Sequence, residues 1–197
     1  MANKTTNHTT TRVSDRDNDC RALDMTTVLR SFSFFVLCLA LVATGWPADA
    51  QEPQTLGTYR DWSAFTYQDG GTRVCYMGSE PMDSQGAYDQ RGDIWTLVTH
   101  RSPGGSRDVV SIIAGYNYEE DAPVTVTVGN KSFSLFSGGD TAWTYTDSDD
   151  RDLVAAMKAG VDMTVSGKSW RGTQTTDTFS LLGFTAAYEA ISNHCAN

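Results

Sequence analysis

Basic residues are scarce in this chain of 197 residues: 15 Lys and Arg stand against 24 Asp and Glu, and the formal net charge is −9. Binding to nucleic acid phosphates or to an anionic membrane surface requires a basic face. The composition therefore argues against a nucleic acid partner and against electrostatic attachment to a membrane.

The sequence also lacks a long hydrophobic run. Its apolar segment, Phe32–Ala43, is about a dozen residues long, whereas a spanning helix needs about 20. Arg30 precedes this segment, and Ala48 and Ala50 place small residues where a signal peptidase requires them. This pattern predicts a secretory signal cut before Gln51, and no stable membrane span in the chain that follows.

The predicted organisation has three parts. Residues 1–24 are a polar, disordered extension or a wrongly assigned start, because Met25 would begin a signal peptide of ordinary length. Residues 25–50 are the signal peptide, and residues 51–197 form one domain of ordinary size. The expected location is the periplasm or the exterior.

Cysteines are few. Cys20 and Cys38 lie ahead of the cleavage site, which leaves Cys75 and Cys195 in the exported part. An even number of cysteines in an exported chain favours a disulfide, here one that closes a loop of about 120 residues. The alternative is two separate buried thiols.

Only two histidines follow the leader, so a three-histidine zinc site is excluded. His194 and Cys195 are adjacent, and neighbouring residues on a helix point about 100° apart, which argues against a nucleophilic pair. For His100 we expect a solvated or loop-anchoring role. We predict no catalytic residue, no cofactor and no metal site.

Two acidic clusters, Glu119–Asp121 and Asp147–Asp152, raise the question of calcium. The second cluster lacks the glycine and the final glutamate of an EF-hand loop. It stands where an apolar pattern of helical period begins, and acids favour the positive end of a helix. We therefore favour helix capping and solvated turns over calcium binding.

Short apolar and aromatic runs separated by turn residues predict an all-β fold. The clearest is a hairpin in which Gly129-Asn130 pairs Val128 with Lys131 and Val126 with Phe133. Further strands are predicted at 58–67, 73–77, 94–99, 109–114, 142–145, 162–166 and 173–182, with helices at 147–160 and about 184–193. The pattern indicates an antiparallel β-sandwich or barrel with one short internal helix and a C-terminal helix.

Aromatic residues are dense in this domain and include Trp62, Trp95, Trp143 and Trp170. Some must fill the core, which is the default expectation for all of them. Others can line a surface for a ligand or a partner, because Trp and Tyr offer a large contact area at low entropic cost.

Several segments, in order and with their spacing, resemble the bacterial invasion-associated locus B family. They are Asp61-Trp62, Cys75 with Glu80-Pro81, Gly115-Tyr116, residues 136–143 and 156–160, Arg171-Gly172-Thr173, residues 177–187 and the closing Cys195. The resemblance implies an immunoglobulin-like β-sandwich, an envelope or secreted location and, for some relatives, a part in host-cell invasion; it implies no enzyme. Many relatives have a further cysteine just after the opening Trp, where this chain has Ser63-Ala64-Phe65.

The functional prediction is a non-enzymatic exported protein that acts through contacts with a protein partner, with host-cell interaction or invasion among its roles. The alternative is a periplasmic small-molecule binding module with an aromatic-lined pocket.

Overall fold

The computed structural model describes residues 52–196. The predicted cleavage residues Ala48, Ala50 and Gln51, and all of the predicted signal peptide, lie outside the described residues. Eleven strands and two helices occupy the described part: β1 Gln54–Tyr59, β2 Trp62–Asp69, β3 Thr72–Ser79, β4 Asp83–Gly86, β5 Trp95–Ser102, β6 Val109–Ile113, β7 Val124–Val128, β8 Lys131–Gly138, β9 Thr141–Trp143, α1 Asp147–Ala159, β10 Asp162–Lys168, β11 Gln174–Ser180 and α2 Phe184–His194.

All strand pairs are antiparallel, in the order β1-β2-β3-β5-β6-β9-β8-β7-β10-β11-β4. Strand β8 changes partner midway: residues up to Leu135 pair with β7, and Phe136 onward pairs with β9. This change divides the strands into two layers. Layer one contains β1, β2, β3, β5, β6, β9 and the end of β8, and layer two contains the start of β8 with β7, β10, β11 and β4. The predicted antiparallel β-sandwich is confirmed.

Strict alternation along the strands separates an inner from an outer side in each layer. In layer one, Ala64, Met77, Val98 and Ile112 point inward and are buried. In layer two the inward residues include valines of β7 with Met163, Val165 and Phe179. Both inner sides and both helices contribute to one hydrophobic core.

Helix α1 begins at the acidic cluster. The side chain of Thr146 accepts a hydrogen bond from the amide of Asp149 at 3.2 Å, which satisfies a free donor of the first turn. Asp150 is buried, and its carboxylate accepts the backbone N–H of Val110 at 2.9 Å. The cluster thus starts a helix and ties it to β6, as the helix-capping interpretation predicts; the capping residue is Thr146.

Helix α2 packs against the inner side of layer one through Phe184, which meets the ring of Trp62 edge-on at 4.9 Å between centroids. The indole N–H of Trp62 donates to the carbonyl of Ser180 at 2.9 Å, so the one polar atom of this fully buried side chain is satisfied. The disulfide between Cys75 and Cys195 then fixes the end of α2 to β3.

The predicted hairpin is confirmed in its register, with Val128 opposite Lys131, Val126 opposite Phe133 and Val124 opposite Leu135. The prediction of one strand over 58–67 was wrong. The chain turns at Arg60, whose φ of 55° interrupts the extended backbone and separates β1 from β2. Strand β4 was missed because its residues, Asp83–Gly86, have no apolar alternation. No helix within residues 52–196 is long and apolar enough to cross a membrane.

Candidate functional site

A cleft of about 720 Å³ opens at one end of the sandwich. One wall is the connection between β4 and β5, at residues 87–91, and the other is the turn between β10 and β11, at residues 169–173. Tyr116 and Thr175 lie between the two walls. The cleft is therefore built from segments far apart in sequence and held by the ends of core strands.

Arg91 holds the first wall in place. Its two terminal guanidinium nitrogens donate to the two carboxylate oxygens of Asp177 at 2.7 and 2.6 Å, and its Nε donates to the carbonyl of Ala114 at 2.6 Å. The two side chains of the pair are only 4% and 5% exposed. Although burial alone lowers the pKa of Arg91, the hydrogen bond and charge of Asp177 raise it overall. Arg91 is thus fully engaged in structure.

Tyrosines flank this guanidinium. The ring centroids of Tyr88 and Tyr116 lie 5.4 and 4.8 Å from the Arg91 carbon, within the range of cation–π contacts. The hydroxyl of Tyr116 is 2.6 Å from that of Thr175. Burial raises the pKa of Tyr116, so the phenol remains a neutral hydrogen-bonding group at ordinary pH. Tyr116 and Thr175 are therefore joined by a hydrogen bond and contribute no charge to the cleft.

Trp170 forms the opposite rim and is 60% exposed. Its backbone N–H donates to the carbonyl of Asn117 at 2.9 Å, and the turn closes through Gly172 N–H to the carbonyl of Ser169 at 2.7 Å. The guanidinium of Arg171 lies 4.9 Å from the Trp170 ring centroid. A large apolar ring is thus presented to solvent on a backbone that is held on both sides.

Outside the cleft, His100, Ser192 and Asp108 resemble a nucleophile triad in composition only. The backbone N–H of Asp108 donates to Nδ1 of His100 at 3.0 Å, so the proton of the neutral ring resides on Nε2. Nε2 is 3.0 Å from the hydroxyl of Ser192 and therefore donates to it, whereas a general base must accept that proton. The Asp108 carboxylate instead accepts from Tyr188 at 2.6 Å. This cluster anchors the β5–β6 loop to α2.

The residues singled out in the sequence have the following positions. Cys75 and Cys195 are joined in a disulfide, and His194 is exposed at the end of α2. His100 is fully buried, so of its two expected roles the structure shows the loop-anchoring one. In the first acidic cluster, Glu119 pairs with Lys168 at 2.8 Å. Among residues 52–196, no three His, Cys, Asp or Glu side chains are grouped to hold a metal ion.

The two outer sides of the sandwich differ sharply. The outer side of layer one, which we call the aromatic face, carries Phe65, Tyr67, Tyr76, Trp95, Leu97, Val109, Ile113, Phe136 and Trp143. The outer side of layer two, the polar face, carries Thr125, Thr127, Ser132, Ser134, Thr164, Ser166, Thr176 and Thr178. All nine of these aromatic and aliphatic residues are at least partly exposed.

Charge is almost absent from the aromatic face. Its strands carry two charged residues, Asp69 and Arg101, which pair with each other at 3.2 Å near its margin, and Asp61 and Glu80 lie at its end beside Trp95. Its rings contact one another, with Phe65 stacked on Tyr76 at 5.1 Å and Phe136 lying 5.8 Å from Trp143. Both helices of the described chain pack on the opposite, inner side of this layer.

The four tryptophans within residues 52–196 thus have different environments, which the sequence did not separate. Trp62 is core, Trp95 and Trp143 belong to the aromatic face, and Trp170 forms the cleft rim. Arg91, Tyr88 and the cleft itself were missed. The contacts that create the cleft join Arg91 to a residue 86 positions away, and no local pattern marks such a pair.

Comparison with known proteins gives a family and a fold. The family model described as "Invasion associated locus B (IalB) protein" matches residues 62–192. The crystal structure of invasion associated protein B from Bartonella henselae is similar with a TM-score of 0.51 and 20% identity, covering 72% of this chain and 96% of that one. A search of curated proteins gave no significant match.

Proposed function

This chain belongs to the invasion associated locus B family, and from that premise we propose that it is an exported, non-enzymatic protein that acts at the envelope or outside the cell through contact with a protein partner. Host-cell interaction or invasion is the role that the family name suggests. The disulfide between Cys75 and Cys195 supports export, because such bonds persist in oxidising compartments. The exported part would be residues 51–197, released by cleavage after Ala50.

The aromatic face is the observation that carries this proposal. Cores of protein interfaces are enriched in Tyr, Trp and Phe and depleted in charge. The aromatic face has both features in a chain whose net charge is −9. The polar face, built on the same strand geometry, shows that an outer sheet surface of this protein can be covered with Thr and Ser instead.

The face also indicates the chemistry of its partner. Asp69 and Arg101 pair with each other, and Asp61 and Glu80 lie at the end of the face beside Trp95, so the centre of the face offers no charge to attract a charged ligand. The partner is therefore expected to present a flat, uncharged, apolar protein surface, and the binding energy is expected to be concentrated in the rings at the centre of the face.

The test places a photo-crosslinking amino acid at Tyr76 or Trp143 on the aromatic face, with Thr176 on the polar face as the matched control. We expect one identified partner crosslinked from the aromatic face alone. The purified partner should then lose affinity at least about tenfold for the Tyr76→Ser/Trp143→Ser variant. Equal crosslinking from both faces, or a partner that binds the variant normally, would contradict the proposal.

A second candidate function is a small-molecule binding module, and the cleft between Tyr88, Tyr116 and Trp170 is the observation that favours it. Its volume falls in the range of about 300–1,000 Å³ typical of ligand pockets. A compound screen by thermal shift tests it: one saturable stabiliser whose effect is lost in Trp170→Ala supports the pocket. Stabilisers that act equally on Trp170→Ala would count against it.

A further inference from the structure

The cleft at Trp170 has a lining whose chemistry points to a particular class of ligand. This inference rests on the second candidate function above and goes beyond it by naming what is bound. Three features carry it: a fixed exposed aromatic ring, a polar lining of hydroxyl and amide groups, and a balance of charge.

The ring comes first. Trp170 is 60% exposed, yet the backbone of its turn is tied to Asn117 and closed through Ser169 and Gly172. Exposing the apolar ring of a Trp to water has an unfavourable hydration free energy. The guanidinium of Arg171 contacts this ring, so one polar group accompanies the apolar surface. The result is an exposed ring on a tied backbone, with the Arg171 guanidinium over one face and the other face available to a ligand.

The polar lining comes second. Gln90, Ser169, Thr173 and Thr175 contribute amide and hydroxyl groups to the cleft. Such groups both donate and accept hydrogen bonds, which matches a ligand whose own groups do both. Neither Gln90 nor Thr173 uses its side chain in a hydrogen bond within the described residues.

The charge comes third. Arg91 is neutralised by Asp177, and the remaining lining charges are one Asp, Asp89, and one Arg, Arg171. A phosphate or polyanionic ligand needs several free cations, and this cleft offers one. An apolar ligand would leave the amide and hydroxyl groups buried without partners. An uncharged ligand with one apolar face and many hydroxyls satisfies both conditions.

We propose that the cleft binds a neutral saccharide, with the C–H face of one sugar ring stacked on Trp170 and its hydroxyls hydrogen-bonded to Gln90, Thr173 and Arg171. The cleft of about 720 Å³ has space for more than one sugar ring, so an oligosaccharide is the expected ligand. The ordered Arg91–Asp177 pair keeps the first wall at a fixed distance from Trp170.

The experiment titrates the purified protein with neutral oligosaccharides, namely β-1,4 oligomers of N-acetylglucosamine and of glucose and α-1,4 oligomers of glucose, by calorimetry. We expect saturable binding of at least one oligomer. Trp170→Ala should weaken it at least about tenfold, whereas Trp170→Phe should retain most of the affinity. Trp143→Ala on the aromatic face is the matched control and should bind as the wild type does.

Two outcomes would overturn the saccharide assignment: no binding by any oligomer at about 10 mM, or binding that Trp170→Ala leaves unchanged. A non-saccharide compound that binds through Trp170 would retain the pocket and reject the ligand class. Failure of both would remove the second candidate function and leave the aromatic face untouched.

Discussion

Arg91 and Asp177, 86 residues apart in the chain, meet in a two-point ion pair that is almost completely shielded from water. The pair connects the segment between β4 and β5 to strand β11. It is also the base of one wall of the cleft. A single relationship therefore supports both the end of the sandwich and the candidate binding site.

Breaking this pair should destabilise the protein strongly. Asp177→Asn keeps the shape of the side chain but leaves the Arg91 charge buried without a counter-ion, and we expect a loss of about 3–5 kcal/mol in the free energy of unfolding. Urea denaturation measures it. Arg101→Gln, which breaks the exposed pair with Asp69, is the control and should cost less than about 1 kcal/mol. Similar losses of unfolding free energy in the two variants would show that the buried pair contributes no more to stability than the exposed pair.

Removing the disulfide should lower the free energy of unfolding, by an amount that depends on the length of the loop that the bond closes. The sequence separation of Cys75 and Cys195 is 120, and the chain-entropy model gives about 5 kcal/mol for such a loop, with native disulfides commonly contributing about 2–5. We expect Cys75→Ala/Cys195→Ala to unfold at markedly lower urea than the oxidised wild type. The reduced wild type should match the variant; two free thiols in the unreduced protein by mass spectrometry would contradict the bond.

The sequence pattern of neighbouring residues was sufficient to predict the β7–β8 hairpin. The hairpin at Gly129-Asn130 has alternation and turn chemistry that agree, and its register is the predicted one. The break between β1 and β2 is different, because it relies on Arg60 adopting a positive φ, which residue type alone does not indicate.

The candidate site was beyond sequence reasoning for a physical reason. Trp62 begins β2 and Trp143 ends β9, and similar residues flank both. Trp62 nevertheless lies in the core, whereas Trp143 lies on the aromatic face. A shift of one residue in register exchanges the two sides of a strand, so side assignment requires the pairing itself. The cleft likewise exists only once Arg91 has met Asp177.

Acid should destabilise the protein through His100. Burial, and secondarily the positive charge of Arg107, lowers the pKa of His100 below its ordinary 6.5. The unfolded chain therefore binds the proton more readily than the folded one, so this stability is complete above about pH 6.5 and is lost as the pH falls toward the folded-state pKa. Urea denaturation from pH 7.5 to 5 measures the dependence.

Two variants isolate the imidazole. His100→Gln removes the titrating group while its amide can still accept from Asp108 and donate to Ser192, and the pH dependence in this window should shrink. His194→Gln, on the exposed histidine of α2, should leave it unchanged. If the free energy of unfolding of His100→Gln depends on pH as steeply as that of the wild type, another group is responsible for the pH dependence.

Gly183 should tolerate substitution far less than a glycine in open space. It precedes α2 with a φ of 92°, and a Cβ there would overlap the carbonyl oxygen of Tyr59. Gly139 also has a positive φ, of 62°, but no atom lies within 4 Å of the point that a Cβ would occupy, so Gly139→Ala should cost only the backbone term of about 1–2 kcal/mol. Gly183→Ala adds a steric clash with backbone and must displace α2 from the β1–β2 turn. We therefore expect a larger loss of unfolding free energy in urea denaturation for Gly183→Ala than for Gly139→Ala. The tryptophan fluorescence should also shift to the red, because the buried ring of Trp62 packs on Phe184 of α2. Equal losses at the two glycines would mean that the turn can move aside.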